Sequence, residues 1–190
     1  MDFIVIFIWA LLILTLVFEL RYTMDRLRSL KAGLRALIYF PVVWIVLIIS
    51  LVSAVYVSEV FPILKWGWLG YNIVTAPVSE VVSDKITDPS MTIGFENTIL
   101  FIGIFIIIIY ACLLCNYYEE AMYRDSLLSV VIWALLHLIM GISLFMVIPL
   151  FFIGIIYKYI YDKYSVDHSY CLHFFTNMSL IGIMAIIFFL

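Results

Sequence analysis

Residues 100–114, LFIGIFIIIIYACLL, are apolar on every face a helix could present and show none of the alternation a membrane strand would need. An α-helix closes its backbone hydrogen bonds within its own segment, so hydrocarbon can surround it completely, whereas a barrel strand has one face in lipid and one in the lumen. The stretch therefore reads as a membrane helix. Working outward, the same character holds along the chain: of 190 residues, 67% are hydrophobic and 12% charged, with a mean hydropathy of +1.22. Soluble domains are only about half apolar. The expected fold is all-α, a polytopic transmembrane helical bundle.

A crossing takes about 20 mostly apolar residues, and hydropathy places spans near 3–20, 36–61, 97–117, 127–140, 144–161 and 171–190, about six in all. Only MGIS (140–143) separates the fourth from the fifth. Pro149 offers a competing break, which leaves open one long kinked helix from 127 onward. The N-terminus has no basic leader or small-residue cleavage site, so it reads as a retained first span. No internal repeat or soluble stretch stands out, and residues 1–190 are expected to form a single membrane domain.

The stretch between positions 21 and 35 holds Arg21, Arg26, Arg28, Lys31 and Arg35. Read as a loop, it belongs on the cytoplasmic side and puts the N-terminus outside. Residues 63–94 mix acids with Pro and Gly and carry Trp66, Trp68 and Tyr71 as interface anchors, so they read as an external loop. Counting onward, Arg124, Lys158 and Lys163 fall on the cytoplasmic side. The expected location is an integral plasma membrane protein, and a chain this short and rich in Ile and Phe points to a bacterium. With a net charge of −3 and ten scattered Lys and Arg, nucleic-acid binding has no support. Cys112 and Cys115 lie in an apolar helix where a thiolate forms at high cost, which favours inert thiols over a redox pair.

Charged groups at bilayer depth cost about 2.5–3.5 kcal/mol each on insertion scales and usually face a protein interior or a wet cavity. In the C-terminal half the polar candidates are few: Glu119, Glu120, Arg124, His137, His168, His173 and Asn177. Glu120 and Arg124 are four apart, on one helix face, and can form an ion pair. Glu119 points about 100° away with no helical cation at that spacing. Glu120 is thus the paired acid and Glu119 the partly desolvated one, the better general base. In WALLH (133–137), Trp133 stands one turn from His137 and can wedge the imidazole. In HFFTN (173–177), His173 and Asn177 present hydrogen-bond donors in a row, as a developing oxyanion needs; one such donor is worth about 3–4 kcal/mol.

Each group also has a structural explanation. The acids and Arg124 could mark the cytoplasmic end of a helix, His137 could be a hydrogen-bonded core histidine, and His173 with Asn177 could hold helices together. His168, beside the 162–167 loop, reads as interfacial and takes no role.

EEAMYR (119–124) fits EExxxR, WALLH fits aromatic-xxx-His and HFFTN fits HxxxN. In that order and spacing the chain resembles the CPBP (Abi) intramembrane protease family, which includes type II CAAX prenyl endopeptidases and bacterial proteins linked to bacteriocin processing and self-immunity. The resemblance covers roughly residues 95–180. It implies an intramembrane endopeptidase in which Glu119 and His137 activate water, His173 and Asn177 stabilise the oxyanion, and Glu120 and Arg124 support them. Trp133 stands where the family usually has Phe, and Asp125 where glycine is common; six spans are fewer than the eight of some CAAX proteases.

The implied partners are the lipid bilayer and a membrane-associated protein or peptide substrate, which the sequence does not specify. Glu, His and His are donors that zinc accepts, yet there is no HExxH helix and Asn is a poor zinc ligand. Metal-free activation of water is favoured. The competing expectation is a non-catalytic membrane immunity or transport protein that uses the same polar cluster for binding.

Overall fold

A computed structural model describes residues 3–67 and 94–189, and among them all regular structure is helical. The chain runs through α1 (Phe3–Glu19), α2 (Thr23–Gly33), α3 (Phe40–Val60), α4 (Phe95–Met122), α5 (Leu127–Leu136), α6 (Val147–Lys163) and α7 (Val166–Phe189). Short 3-10 turns join α1 to α2 and α2 to α3, and one extends α5 to Met140. Trp68 and Tyr71, and most of the external loop expected over 63–94, lie outside the described residues.

Among the described residues, four helical segments are long and apolar enough to cross a membrane: Val5–Val60, Thr98–Met122, Leu144–Lys163 and Val166–Ile187. Leu127–Met140 is apolar but shorter. The first segment is 56 residues long, about 84 Å if straight at about 1.5 Å per residue, against a hydrocarbon core of about 30 Å. One crossing cannot absorb that length, and charged α2 interrupts it.

Here the structure corrects the expectation of a loop at 21–35, because those residues are helical. Arg26, Leu30 and Gly33 recur at helical spacing and are buried, while the Arg28 side chain is 77% exposed. Gly33 allows the contact with α7: a Cβ there would lie 2.1 Å from the Asp167 carbonyl oxygen and 2.6 Å from Cys171 Cβ. Two further boundaries differ. α4 continues to Met122, so both glutamates sit inside its last turns, and α7 starts at Val166, which puts His168 in its first turn. The alternative of one long kinked helix from 127 does not occur. The chain turns at Gly141, whose φ is 81°, and Pro149 lies in the first turn of α6, where its missing N–H has no helical acceptor to lose.

α7 lies between two packed clusters. On one side Ala36, Val43, Trp133, Ala134, Ile153, Tyr157, Ile160 and Leu172 join α3, α5 and α6 to it. On the other, Leu30, Leu113, Tyr170 and Cys171 join α2 and α4. α1 rests on α4 through Val5, Trp9, Phe101 and Ile104. Outward faces remain apolar, with Ile13, Ile45, Ile49, Ile106 and Ile183 exposed, a surface suited to hydrocarbon rather than water. The helix ends gather at two poles. At one, Tyr39 meets Tyr164 and Lys163, and Lys158 Nζ donates to the Arg124 and Asp125 carbonyls at 3.1 and 3.2 Å. At the other, the Leu144 amide donates to the Trp66 carbonyl at 2.9 Å.

Candidate active site

The site is built where α4 ends, turns and starts α5. The turn at 123–126 is closed by Lys158 from α6 and by Ser126, whose Oγ caps α5 by accepting from the Ser129 amide at 3.0 Å. Asp125, where the resembled family favours glycine, is accommodated on the surface. A hydrogen bond from Ser129 holds its carboxyl below the usual carboxylate range.

Glu120 and Arg124 are both wholly buried and joined as a fork, Arg124 Nη2 to Oε1 at 2.6 Å and Nε to Oε2 at 2.9 Å. α7 completes the carboxylate: His173 Nδ1 lies 2.7 Å from Oε1, and Ser169 Oγ donates to Oε2 and also to the Tyr157 carbonyl. A carboxylate offers about four acceptor positions, and here all are occupied. Arg124 also lies 4.2 Å over the Trp133 ring, so the buried cation has an aromatic face as well as its counter-ion.

Glu119 is different. Half-buried, it accepts one hydrogen bond from Trp133 Nε1 at 2.5 Å, and no other hydrogen bond reaches its carboxylate among the described residues. The sequence expectation of an acid without a cation is met by an indole donor, which spacing along one helix could not reveal. Trp133 also connects Glu119 to both imidazoles. Its ring lies edge-on to His137 at 4.7 Å and to His173 at 5.6 Å, and its carbonyl is 2.8 Å from His137 Nδ1.

Acceptor chemistry assigns the tautomers. A carbonyl oxygen can only accept, so His137 Nδ1 carries a proton and Nε2 is the open nitrogen; the Glu120 carboxylate likewise fixes a proton on His173 Nδ1. A stacked Tyr157 ring, 4.8 Å away, fixes the His173 plane. Among the described residues, Asn177 is held by one long contact, from Nδ2 to Cys112 Sγ at 3.9 Å, which leaves its carboxamide able to turn toward a better acceptor. His168 is apart from this group, paired with Ser165 at 2.9 Å and stacked on Tyr164.

The structure thus brings Glu119, Glu120, Arg124, His137 and His173 around Trp133, with Asn177 one turn further along α7. Ser169 and Tyr157 belong to the same cluster and were not singled out by sequence; serine four residues before His173 on α7 was the available signal. No three His, Cys, Asp or Glu side chains form a group able to hold a metal ion among the described residues. No family model, curated protein or solved structure matches the chain.

Proposed function

We propose that the protein is an intramembrane endopeptidase of the CPBP type, hydrolysing a peptide bond of a membrane-associated protein or peptide with water activated by Glu119 and His137. The observation that carries this reading is the unequal fate of two adjacent acids. Every acceptor position of Glu120 is filled, so it can only orient, while among the described residues Glu119 keeps an oxygen without a protein donor, and His137, whose ring packs on the same Trp133, keeps an open Nε2.

Glu119 takes a proton from water as His137 Nε2 accepts the water's other hydrogen, and the oxygen bonds to the peptide carbonyl carbon. His173 and Asn177 donate to the resulting oxyanion. Because His173 Nδ1–H is held by Glu120, donation from Nε2 requires the imidazolium, for which buried Glu120 is the counter-charge. Glu119⁻, Glu120⁻, Arg124⁺ and His173⁺ then sum to zero. When Glu119 gains its proton, the surplus positive charge faces the oxyanion's negative one. The C–N bond breaks as Glu119 returns that proton to the leaving nitrogen, yielding an acid and an amine.

In the membrane, the 56-residue segment would divide into crossings by α1 and α3 with α2 at the surface. With α5 and its 3-10 extension as a further crossing, the count is six. The pole carrying α2, Arg124 and Lys163 would face the cytoplasm of a bacterial plasma membrane, with the N-terminus outside and the glutamates near the cytoplasmic side.

The competing reading, a non-catalytic immunity or transport protein, draws on the saturation of Glu120, which would equally suit a cluster that only holds helices. Glu119→Gln separates the two. Membrane and secreted peptides are compared between cells carrying wild type, Glu119→Gln and His137→Ala, with insertion checked by membrane fractionation. Peptidase chemistry predicts a peptide whose processing disappears in both variants; processing that persists in both refutes it.

A further inference from the structure

Two buried polar atoms near the site, Tyr157 Oη and Asn116 Nδ2, lack a hydrogen-bond partner among the described residues; the Tyr157 ring is stacked on His173, which leaves Asn116 unexplained. Asn116 is 3% exposed, and its Nδ2 is buried without a hydrogen-bond partner. A buried amide donor left unmade lowers stability, so native proteins rarely keep one without a use.

Helix register says where it stands. Contacts between α4 and α7 pair Glu120 with Ser169 and His173, and Cys112 with Asn177. As numbers fall along α4 they rise along α7, so the helices run antiparallel. Asn116 is four residues from both Cys112 and Glu120, on the same face of α4. That places it midway between the layer of His173 and the layer of Asn177, level with the interval those two side chains bracket. It is also three residues before Glu119.

From this position, and resting on the peptidase reading above, we infer that Asn116 is a third carbonyl-binding donor of the site, directed at a backbone carbonyl of an extended peptide lying between His173 and Asn177. A carboxamide suits the task because it donates without ionising, and so adds no buried charge to a cluster that is already balanced. A bound peptide carbonyl would pair the donor that the protein itself leaves unpaired.

The test uses the peptide whose processing disappears in Glu119→Gln cells, synthesised with a fluorophore and quencher, and purified full-length protein in micelles. Asn116→Leu keeps side-chain volume and removes the orphan donor. The expected result is a fall in kcat of about 10²-fold, with KM changed by less than about threefold and the melting temperature unchanged or raised. A purely structural amide would leave kcat untouched, and wild-type kcat in Asn116→Leu overturns the inference. If Asn116→Leu fails to fold, Asn116→Ala, which only deletes atoms, takes its place under the same criteria. If Glu119→Gln cells process every peptide as wild type does, the peptidase reading falls and takes this inference with it. Loss with Glu119→Gln but not with Asn116→Leu sinks the inference alone.

Discussion

Replacing Arg124 by Gln tests whether the buried ion pair organises the site. Both side chains are wholly buried, and the carboxylate of Glu120 depends on Arg124 for two of its hydrogen bonds, at 2.6 and 2.9 Å. Arg124→Gln leaves that carboxylate in the interior with only His173 and Ser169, and removing one partner of a buried pair costs about 3–5 kcal/mol. For a chain of this size 1 kcal/mol moves a melting temperature by about 2–4 °C, so the expected fall is about 6–20 °C. Glu120→Gln strands the guanidinium instead and falls in the same range, moderated by the Trp133 face at 4.2 Å. The informative protein is the double variant. Glu120→Gln with Arg124→Gln leaves two neutral amides that can hydrogen-bond to each other, so it is expected to melt nearer to wild type than either single change. Cys171 supplies the assay, since it is a free thiol with 0% exposure. A thiol-reactive dye in detergent micelles reports the temperature at which α7 opens. The reasoning fails if Arg124→Gln melts within about 2 °C of wild type, or if the double variant loses the sum of the two singles.

Trp133→Phe keeps an aromatic ring beside His137 but deletes the 2.5 Å bond to Glu119. A hydrogen bond to a charged group is worth about 1.5–3 kcal/mol, so kcat/KM for the identified peptide is expected to fall roughly 10- to 100-fold, and an unchanged value would remove the indole from the positioning role. Gly154→Ala puts a Cβ 2.8 Å from Val130 Cγ1 and 3.0 Å from the Trp133 ring, an overpacking cost of about 1–3 kcal/mol. Gly103→Ala, whose Cβ meets nothing within 4 Å, is the silent control, and equal melting temperatures for the two would contradict the packing described. Topology is checked with a membrane-impermeant maleimide on intact cells in a cysteine-free background: Lys65→Cys should label and Arg28→Cys should not, and labelling of both from outside would refute the assigned orientation.

What could be read from sequence is what one helix settles by itself. The hydrocarbon runs placed the long helices to within a few residues, and the four-residue spacing puts Glu120 beside Arg124 whatever the rest of the chain does. α2 escaped because its charges resemble a loop, while the burial of Arg26, Leu30 and Gly33 depends on α4 and α7 being alongside. Trp133 was legible as a wedge for His137, one turn away on its own helix, and not as the donor to Glu119, which lies across a turn on another. Ser169, Tyr157 and Asn116 were missed for the same reason, since a lone polar residue in an apolar helix acquires meaning only from its neighbour.

The same distinction explains how two adjacent, chemically identical side chains can be given different work. Glu119 and Glu120 differ by about 100° of helix rotation, and along α4 alone that rotation decides only which one meets Arg124. The packing of α7 then amplifies the difference, because it delivers Ser169 and His173 to the acid that is already paired and none of these donors to the other. Glu120 becomes more firmly held with each partner added. Glu119 is left with one indole donor at the edge of the cluster. A single turn of register slip between α4 and α7 would move His173 off Glu120, and for that reason the close approach at Gly33, which sets how α7 sits beneath α2, belongs to the same functional argument as the charged residues.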